Sequence, residues 1–349
     1  MILEEDPNML NDLIKEAATR RDVFKKLGAA ALGAALLADA GFDPAMAQAL
    51  APAGKPMKAA FSNAGLQATW CAQGKQAAEA WGKIMNVEIT WFDGELSATK
   101  QRAAIDNMAS QKWDFVAIQT FGIGTLTDPI KKMIDAGTPV IAMDTLVAPP
   151  GTVPLHTFIA PDNIMMGSVV TSALVAAIGG AGNVVMTQGA LGHSGAQGRA
   201  KGFHQVIDGN ANIKLLDEQP ADWDVTKVAR IWDSLLTQYP DIKGAFFHND
   251  DMALAAHNVM KAKNRTDILI AGVDAMPPAV NAVLEGVMVA TVRNPSCRIH
   301  GWSVAAGVAA VQGGEKAGKD IPDFILADGP VITKDSAAGH LWLQKNFLI

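Results

Sequence analysis

Tyr239-Pro240-Asp241-Ile242-Lys243-Gly244-Ala245-Phe246-Phe247-His248-Asn249-Asp250-Asp251-Met252-Ala253-Leu254 decides the fold. Residues 244–248 form a short apolar run, long enough for a buried strand and too short for a helix. Three amide and carboxylate residues follow. From Met252 the apolar residues recur at helical spacing as far as 261, and Asp250 stands where a helix beginning at Asp251 needs its cap. A buried strand that turns through a polar elbow into a helix is half of a parallel βαβ unit.

The same alternation continues in both directions. Upstream, residues 225–238 read as a helix ending before Pro240, 213–217 as a strand, 196–208 as a helix, 183–188 as a strand, and 165–178 as a helix stopped by Gly179-Gly180. Downstream come a strand at 268–273, a helix at 278–285 and a strand at 289–292. An earlier set has strands at 57–62, 87–92, 115–119 and 139–143, with helices at 74–84, 98–110 and 129–136. Pro129 suits the first turn of the last of these and Gly137 its end. Short apolar strands alternating with helices imply parallel sheets covered on both faces. Two such sets, each of about 110–130 residues, fit two domains. The expected fold is α/β, with two doubly wound parallel-sheet lobes.

The 349 residues suffice for two ordinary cores, and 49% hydrophobic content excludes a disordered chain. A net charge of −6 with no basic run in the body argues against a nucleic-acid partner. Two cysteines, Cys71 and Cys297, make no disulfide framework and have no metal-ligand spacing; they read as buried small residues, with one bond between them left open. Residues 1–50 read as an export signal and linker. Arg20-Arg21 precedes Phe24 and two lysines, a weakly apolar run spans 27–37, and small residues end in Ala45-Met46-Ala47. The paired arginines resemble a twin-arginine signal, which places the mature chain in the periplasm.

In open parallel sheets ligands sit beyond the carboxyl ends of the strands. That rule selects the residues just after each strand: Gln67 and Trp70, Gln119, Asp144, Gln197, Asn249 and Asp274. Carboxylates accept from two neighbouring hydroxyls at once, amides offer donor and acceptor together, and indole rings cover C–H faces. His193 and His248 are weaker candidates, and no histidine has metal spacing.

At these positions the chain resembles the ribose-binding-protein family of periplasmic sugar receptors, which share their core with LacI-type repressors. The resemblance rests on Gln219-Pro220-Ala221-Asp222-Trp223-Asp224, the stretch quoted at the outset, Thr138-Pro139-Val140-Ile141-Ala142-Met143-Asp144, Ile159-Ala160-Pro161-Asp162-Asn163 and Gly272-Val273-Asp274, in family order, and covers most of residues 57–325. It implies a type I periplasmic binding protein with a three-crossing hinge, near 160–162, 293–295 and Leu326. The lobes would be 51–160 plus 295–325 and 161–294 plus 326–349, with helix 296–312 returning to the first. It adds Trp223 and Asn294 to the ligand contacts. It further implies a monomer without cofactor, metal or catalytic residue, delivering a sugar to an inner-membrane ABC permease.

Two departures modify that expectation. The arginine that follows the strand-end aspartate in ribose receptors is Thr145 here, and a second arginine is Gln197. Arg199 is expected on the domain surface. Losing two bidentate cations favours a neutral, hydroxyl-rich ligand, a monosaccharide or a linear polyol, over ribose itself. The alternatives are a sensor that presents its ligand to a chemoreceptor, an enzyme, and a DNA-binding regulator. The enzyme lacks a nucleophile elbow, a P-loop and a dinucleotide fingerprint; the regulator lacks a helix-turn-helix before the core.

Overall fold

The computed structural model describes residues 55–313 and 321–346, so the export-signal reading of residues 1–50 lies outside the described residues. The sheets and crossings belong to the compact unit formed by residues 57–82 and 87–349. The chain runs through β1 (Met57–Asn63), α1 (Thr69–Met85), β2 (Val87–Asp93), α2 (Ala98–Met108), β3 (Phe115–Ile118), α3 (Thr127–Asp135), β4 (Val140–Met143) and β5 (Thr157–Ala160). It continues through α4 (Asn163–Ala177), β6 (Gly182–Gln188), α5 (Ser194–Ile207), β7 (Ile213–Pro220), α6 (Val225–Gln238), β8 (Ile242–Phe247), α7 (Asp250–Ala262), β9 (Leu269–Val273), α8 (Pro277–Glu285) and β10 (Met288–Val292). It ends with α9 (Ser296–Gln312), β11 (Phe324–Leu326), β12 (Val331–Ile332) and α10 (Lys334–Asn346).

Two six-stranded sheets result, as the α/β reading requires. The first has the order β11-β5-β4-β3-β1-β2 and is parallel throughout. The second has the order β12-β10-β9-β8-β6-β7, with only β12 antiparallel. The central strands β3 and β4 are buried along their whole length, which is why they read as unbroken apolar runs. Trp232 is fully buried and donates its indole N–H to Thr187 Oγ1 at 2.9 Å.

Three segments pass between the sheets side by side. Residues 161–162 follow β5, residues 293–295 follow β10, and residues 327–330 join β11 to β12. Ala327 N–H donates to Ala160 O (3.0 Å), Asp162 N–H to Asp328 Oδ1 (2.8 Å) and Arg293 N–H to Pro330 O (2.9 Å). These bonds tie the crossings into one strap.

The main differences from the sequence reading lie in short elements. Strands β5, β11 and β12 have four residues or fewer, and α10 opens and ends polar, so none carries a periodic signal. Asp250 does not cap α7. That role falls to Asn249, whose Oδ1 accepts from Met252 N–H at 2.9 Å. Asp250 is buried instead and accepts from Met276 N–H (2.9 Å) and Thr291 Oγ1 (2.7 Å), tying α7 to the ends of β9 and β10. Burial pushes its carboxyl well above the usual range. Both cysteines are buried and free.

Candidate functional site

A cavity of about 410 Å³, its open mouth included, lies where the carboxyl ends of the two sheets face each other. The elements deliver its residues systematically. Ala64 follows β1, Gln119 follows β3, Asp144 follows β4, His193 follows β6, Trp223 follows β7, Asn249 follows β8, Asp274 follows β9 and Asn294 follows β10. In the second sheet two of these residues, His193 and Asn249, also cap helices through their side chains, as Asp224 next to Trp223 does.

Asp144 and Asp274 are both buried, and both have left-handed backbone, with φ of 59° and 115°. Asp144 is heavily bonded. Its Oδ1 accepts from Asn294 Nδ2 (3.1 Å), and its Oδ2 accepts from Gln119 Nε2 (3.2 Å) and Thr145 Oγ1 (3.1 Å). Asp274 Oδ1 pairs with Arg199 Nη2 at 3.4 Å, and the Asn294 side chain also bonds its carboxyl. Burial, set against the nearby Arg199 cation and reinforced by Asp144 and Asp251, pushes the Asp274 carboxyl up to about 8.

Arg199 is 3% exposed and points into the site, so the expected surface position is wrong. The reason is the close approach of α4 and α5. A Cβ on Gly167 would lie 2.2 Å from Arg199 O, and one on Gly202 would lie 2.1 Å from Ile164 O. The small residues let α5 sit low enough for Arg199 to reach inward. Its Nε donates to Asn163 Oδ1 at 3.0 Å, and its Nη1 donates to His248 O. The glycines flanking Arg199 were the available signal.

His193 completes a chain from the second sheet's side to the first. Its Nδ1 accepts from Gly195 N–H (3.1 Å), which leaves the ring proton on Nε2 to donate to Thr145 Oγ1 (2.8 Å); Thr145 in turn donates to Asp144. Burial first, then the competing charges of Asp144 and Arg199, holds His193 down at about 4, so it is neutral at pH 7. Thr145, which stands where the family pattern has arginine, is thus a relay between lobes. His248 is also held neutral by burial and by Arg199, and accepts from Gly189 N–H (3.1 Å).

Two indoles form walls. Trp70 is 4% exposed and donates to Asn294 O at 3.1 Å. Trp223, at φ 63°, lies against His193 (5.1 Å between ring centroids) and under the Arg199 guanidinium (5.8 Å). A Cβ on Gly189 would fall 2.1 Å from the Trp223 ring, so only glycine leaves it room.

Of the nine expected contacts, seven meet at this cavity: Trp70, Gln119, Asp144, Trp223, Asn249, Asp274 and Asn294. Two do not. Gln67 is exposed and lines a second cavity outside Trp223. Gln197 is exposed and donates to Leu191 O at 3.0 Å, because its place on α5 is two residues from the inward-facing Arg199. The Asn294 Oδ1 is buried with no hydrogen-bond partner among the described residues. No cluster of His, Cys, Asp or Glu among the described residues could hold a metal ion, and no helix among them is long and apolar enough to cross a membrane.

Comparison with known proteins agrees with this architecture. The periplasmic binding protein domain family matches residues 59–316. The chain is 27% identical over 265 residues to the xylitol-binding protein of Mycolicibacterium smegmatis, covering 76% of this chain and 74% of that one. It is 28% identical over 218 residues to the ribose import binding protein of Salmonella typhimurium, covering 62% and 72% respectively. An ABC transporter solute binding protein from Mycobacterium smegmatis, solved with bound glycerol, superposes with a TM-score of 0.72 at 28% identity, covering 81% of this chain and 96% of that one.

Proposed function

This chain belongs to the periplasmic binding protein family, and from that premise we propose that it captures a monosaccharide or sugar alcohol between its lobes for an ABC importer. The observation that carries the ligand class is the polar arrangement inside the cavity. Asp274 is a buried carboxyl paired with Arg199 at 3.4 Å and bonded by the Asn294 side chain, and the buried Asn294 Oδ1 beside it has no partner among the described residues. Buried acceptors without donors are costly, and ligand hydroxyls supply donors. Trp70 and Trp223 offer flat faces to C–H groups, as polyhydroxylated ligands require.

The remaining roles follow from this reading. Asp144, Asp274, Asn249, Asn294 and Gln119 bind hydroxyls, Trp70 and Trp223 form the walls, and Gln67 and Gln197 stand at the periphery. The lobes, 51–160 with 295–325 and 161–294 with 326–349, close about the crossings when ligand binds. The protein acts as an exported, periplasmic, non-enzymatic monomer, sent out by the twin-arginine signal in residues 1–50, and its partner is the permease. Mass spectrometry of ligand released from the purified protein, with a thermal-shift panel of pentoses, hexoses and alditols, tests the proposal. The expected result is a shift of several degrees with at least one of them. No response to any, and no hydroxylated compound released, would overturn it.

A further inference from the structure

The turn that carries Asp274 is the more demanding of the two aspartate strand ends. Asp274 and Ala275 are consecutive residues with left-handed backbone, φ 115° and 52°, whereas Asp144 is left-handed alone in its turn. Neither residue is glycine, so both conformations are uphill and persist only where neighbouring groups hold them. Asp274, Ala275 and Met276 are all buried, so water does not serve the polar groups of the turn. Side chains do. Ala275 N–H donates to Thr291 Oγ1 (3.1 Å), Met276 N–H donates to Asp250 Oδ2 (2.9 Å), and Ala275 O accepts from Gln344 Nε2 (2.6 Å). Thr291 Oγ1 donates in turn to Asp250 Oδ1 (2.7 Å), which makes the first two anchors one unit. A Cβ on Gly272 would lie 2.6 Å from Asp250 Oδ1, so a bare backbone at that point of β9 admits the carboxylate. The three anchors come from α7, β10 and α10, and none of them lines the cavity.

We infer that Asp250, Thr291 and Gln344 are positioning residues for ligand recognition: they fix the left-handed turn that aims the Asp274 carboxyl into the cavity, and Gln344 brings helix α10 into that task. The inference rests on the proposed binding of a hydroxylated ligand, with Asp274 among its contacts. Relaxation of the turn toward ordinary φ values would swing the carboxyl away from Arg199 Nη2 and the Asn294 side chain, its partners at the cavity. A group already held in its bound geometry gives tighter binding than one the ligand must order, because ordering subtracts from the interaction. Asp274 N–H donates to Val292 O at 2.8 Å, so the pairing of β9 with β10 does not depend on the three anchors. Loss of an anchor therefore acts on the aim of the carboxyl before it acts on the sheet.

Titration calorimetry on the full chain tests this. D-ribose, D-xylose, D-allose, D-galactose, xylitol and ribitol are the probes, and the one bound most tightly is carried into the variants. Gln344→Met and Thr291→Val each remove an anchor at similar side-chain volume and are expected to weaken that probe about fivefold. Thr291→Ser keeps the hydroxyl and should bind as the unmodified protein does. The same substitutions are then made beside Asp274→Ala and read by thermal shift at high probe concentration, where weak binding still registers. With no carboxyl to aim, neither should cause a further loss. Unchanged affinity in both Gln344→Met and Thr291→Val would overturn the inference. So would a loss of equal size with and without the Asp274 side chain, since that marks a general effect on the fold. Either result leaves the hydroxylated-ligand reading intact. Heat from none of the probes with the unmodified protein would overturn that reading, and the positioning role with it.

Discussion

Asp144 and Asp274 are built alike and surrounded differently. Each ends a central parallel strand, each adopts positive φ, and each donates its backbone N–H to the neighbouring strand, to Ile159 O at 2.7 Å and to Val292 O at 2.8 Å. The backbone solution is the same in both sheets and aims a carboxylate into the gap. Around Asp144 three side chains donate, two of them from its own sheet's side and one from the crossing at Asn294. Around Asp274 stand the Arg199 guanidinium at 3.4 Å and the Asn294 side chain, which it shares with Asp144. A buried carboxylate with three donors is held firmly and has less capacity left for ligand hydroxyls than one with fewer.

The sharpest way to break this contrast is to neutralise each in turn. Asp274→Asn is expected to weaken ligand binding by roughly a hundredfold, about 3 kcal/mol from two charge-assisted hydrogen bonds. The melting temperature of the ligand-free protein should change little. Asp144→Asn is expected to lower stability by about 2 kcal/mol, because three buried donors lose a charged acceptor. Titration calorimetry and thermal denaturation of both variants measure the two effects. If the two substitutions produce the same loss in the same measurement, the division of labour is wrong.

Acidity sharpens the same contrast. Burial pushes the Asp274 carboxyl up to about 8, against 3.8 for an ordinary aspartate. A raised carboxyl pKa means the closed form holds its proton more firmly than an open form with Asp274 in water. The favourable contribution to ligand-free closure is therefore complete below 3.8 and is lost as pH rises through about 8. The slope is at most one proton, about tenfold per pH unit in the closed-to-open ratio. Small-angle scattering between pH 5 and 9 should show a smaller ligand-free radius at the acid end. Asp274→Asn should remove the trend; its persistence in that variant would assign the effect to another group.

How much of this was legible depends on how each residue does its work. Strand ends were legible because apolar runs stop abruptly at polar residues, and the rule that ligands sit beyond them led to Asp144, Asn249 and Asp274 directly. The resemblance supplied Trp223 and Asn294. Arg199 was hidden because its direction is set by the approach of two helices through Gly167 and Gly202, a tertiary fact. The family pattern points to Gln197, yet two steps along a helix turn a side chain by more than half a circle. Against the family pattern Thr145 marks only a lost cation. Its use as a hydroxyl relay depends on His193, which lies 48 positions away in sequence and reaches it only through the fold.

One contact between the two sides lies outside the ligand cavity and separates closure from recognition. Thr69, the first residue of α1, donates its N–H to Asp251 Oδ2 (3.0 Å) and its hydroxyl to Asp251 Oδ1 (2.7 Å), and Asp251 belongs to the first turn of α7. A carboxylate from the second sheet's side thus caps a helix start on the first, where the N-terminal end of the helix dipole adds to the attraction. Both residues are part-exposed, so solvent screening keeps the pair near 1 kcal/mol. Asp251→Asn is expected to weaken every ligand by about fivefold, whatever its hydroxyl pattern, since the pair stabilises the closed state common to all of them. Combining it with Thr69→Val in a double-mutant cycle should add little further loss, as the bonds are shared. A loss confined to some ligands would instead make Asp251 part of recognition, and the contrast between the more and the less heavily bonded carboxylate would then have to accommodate a third.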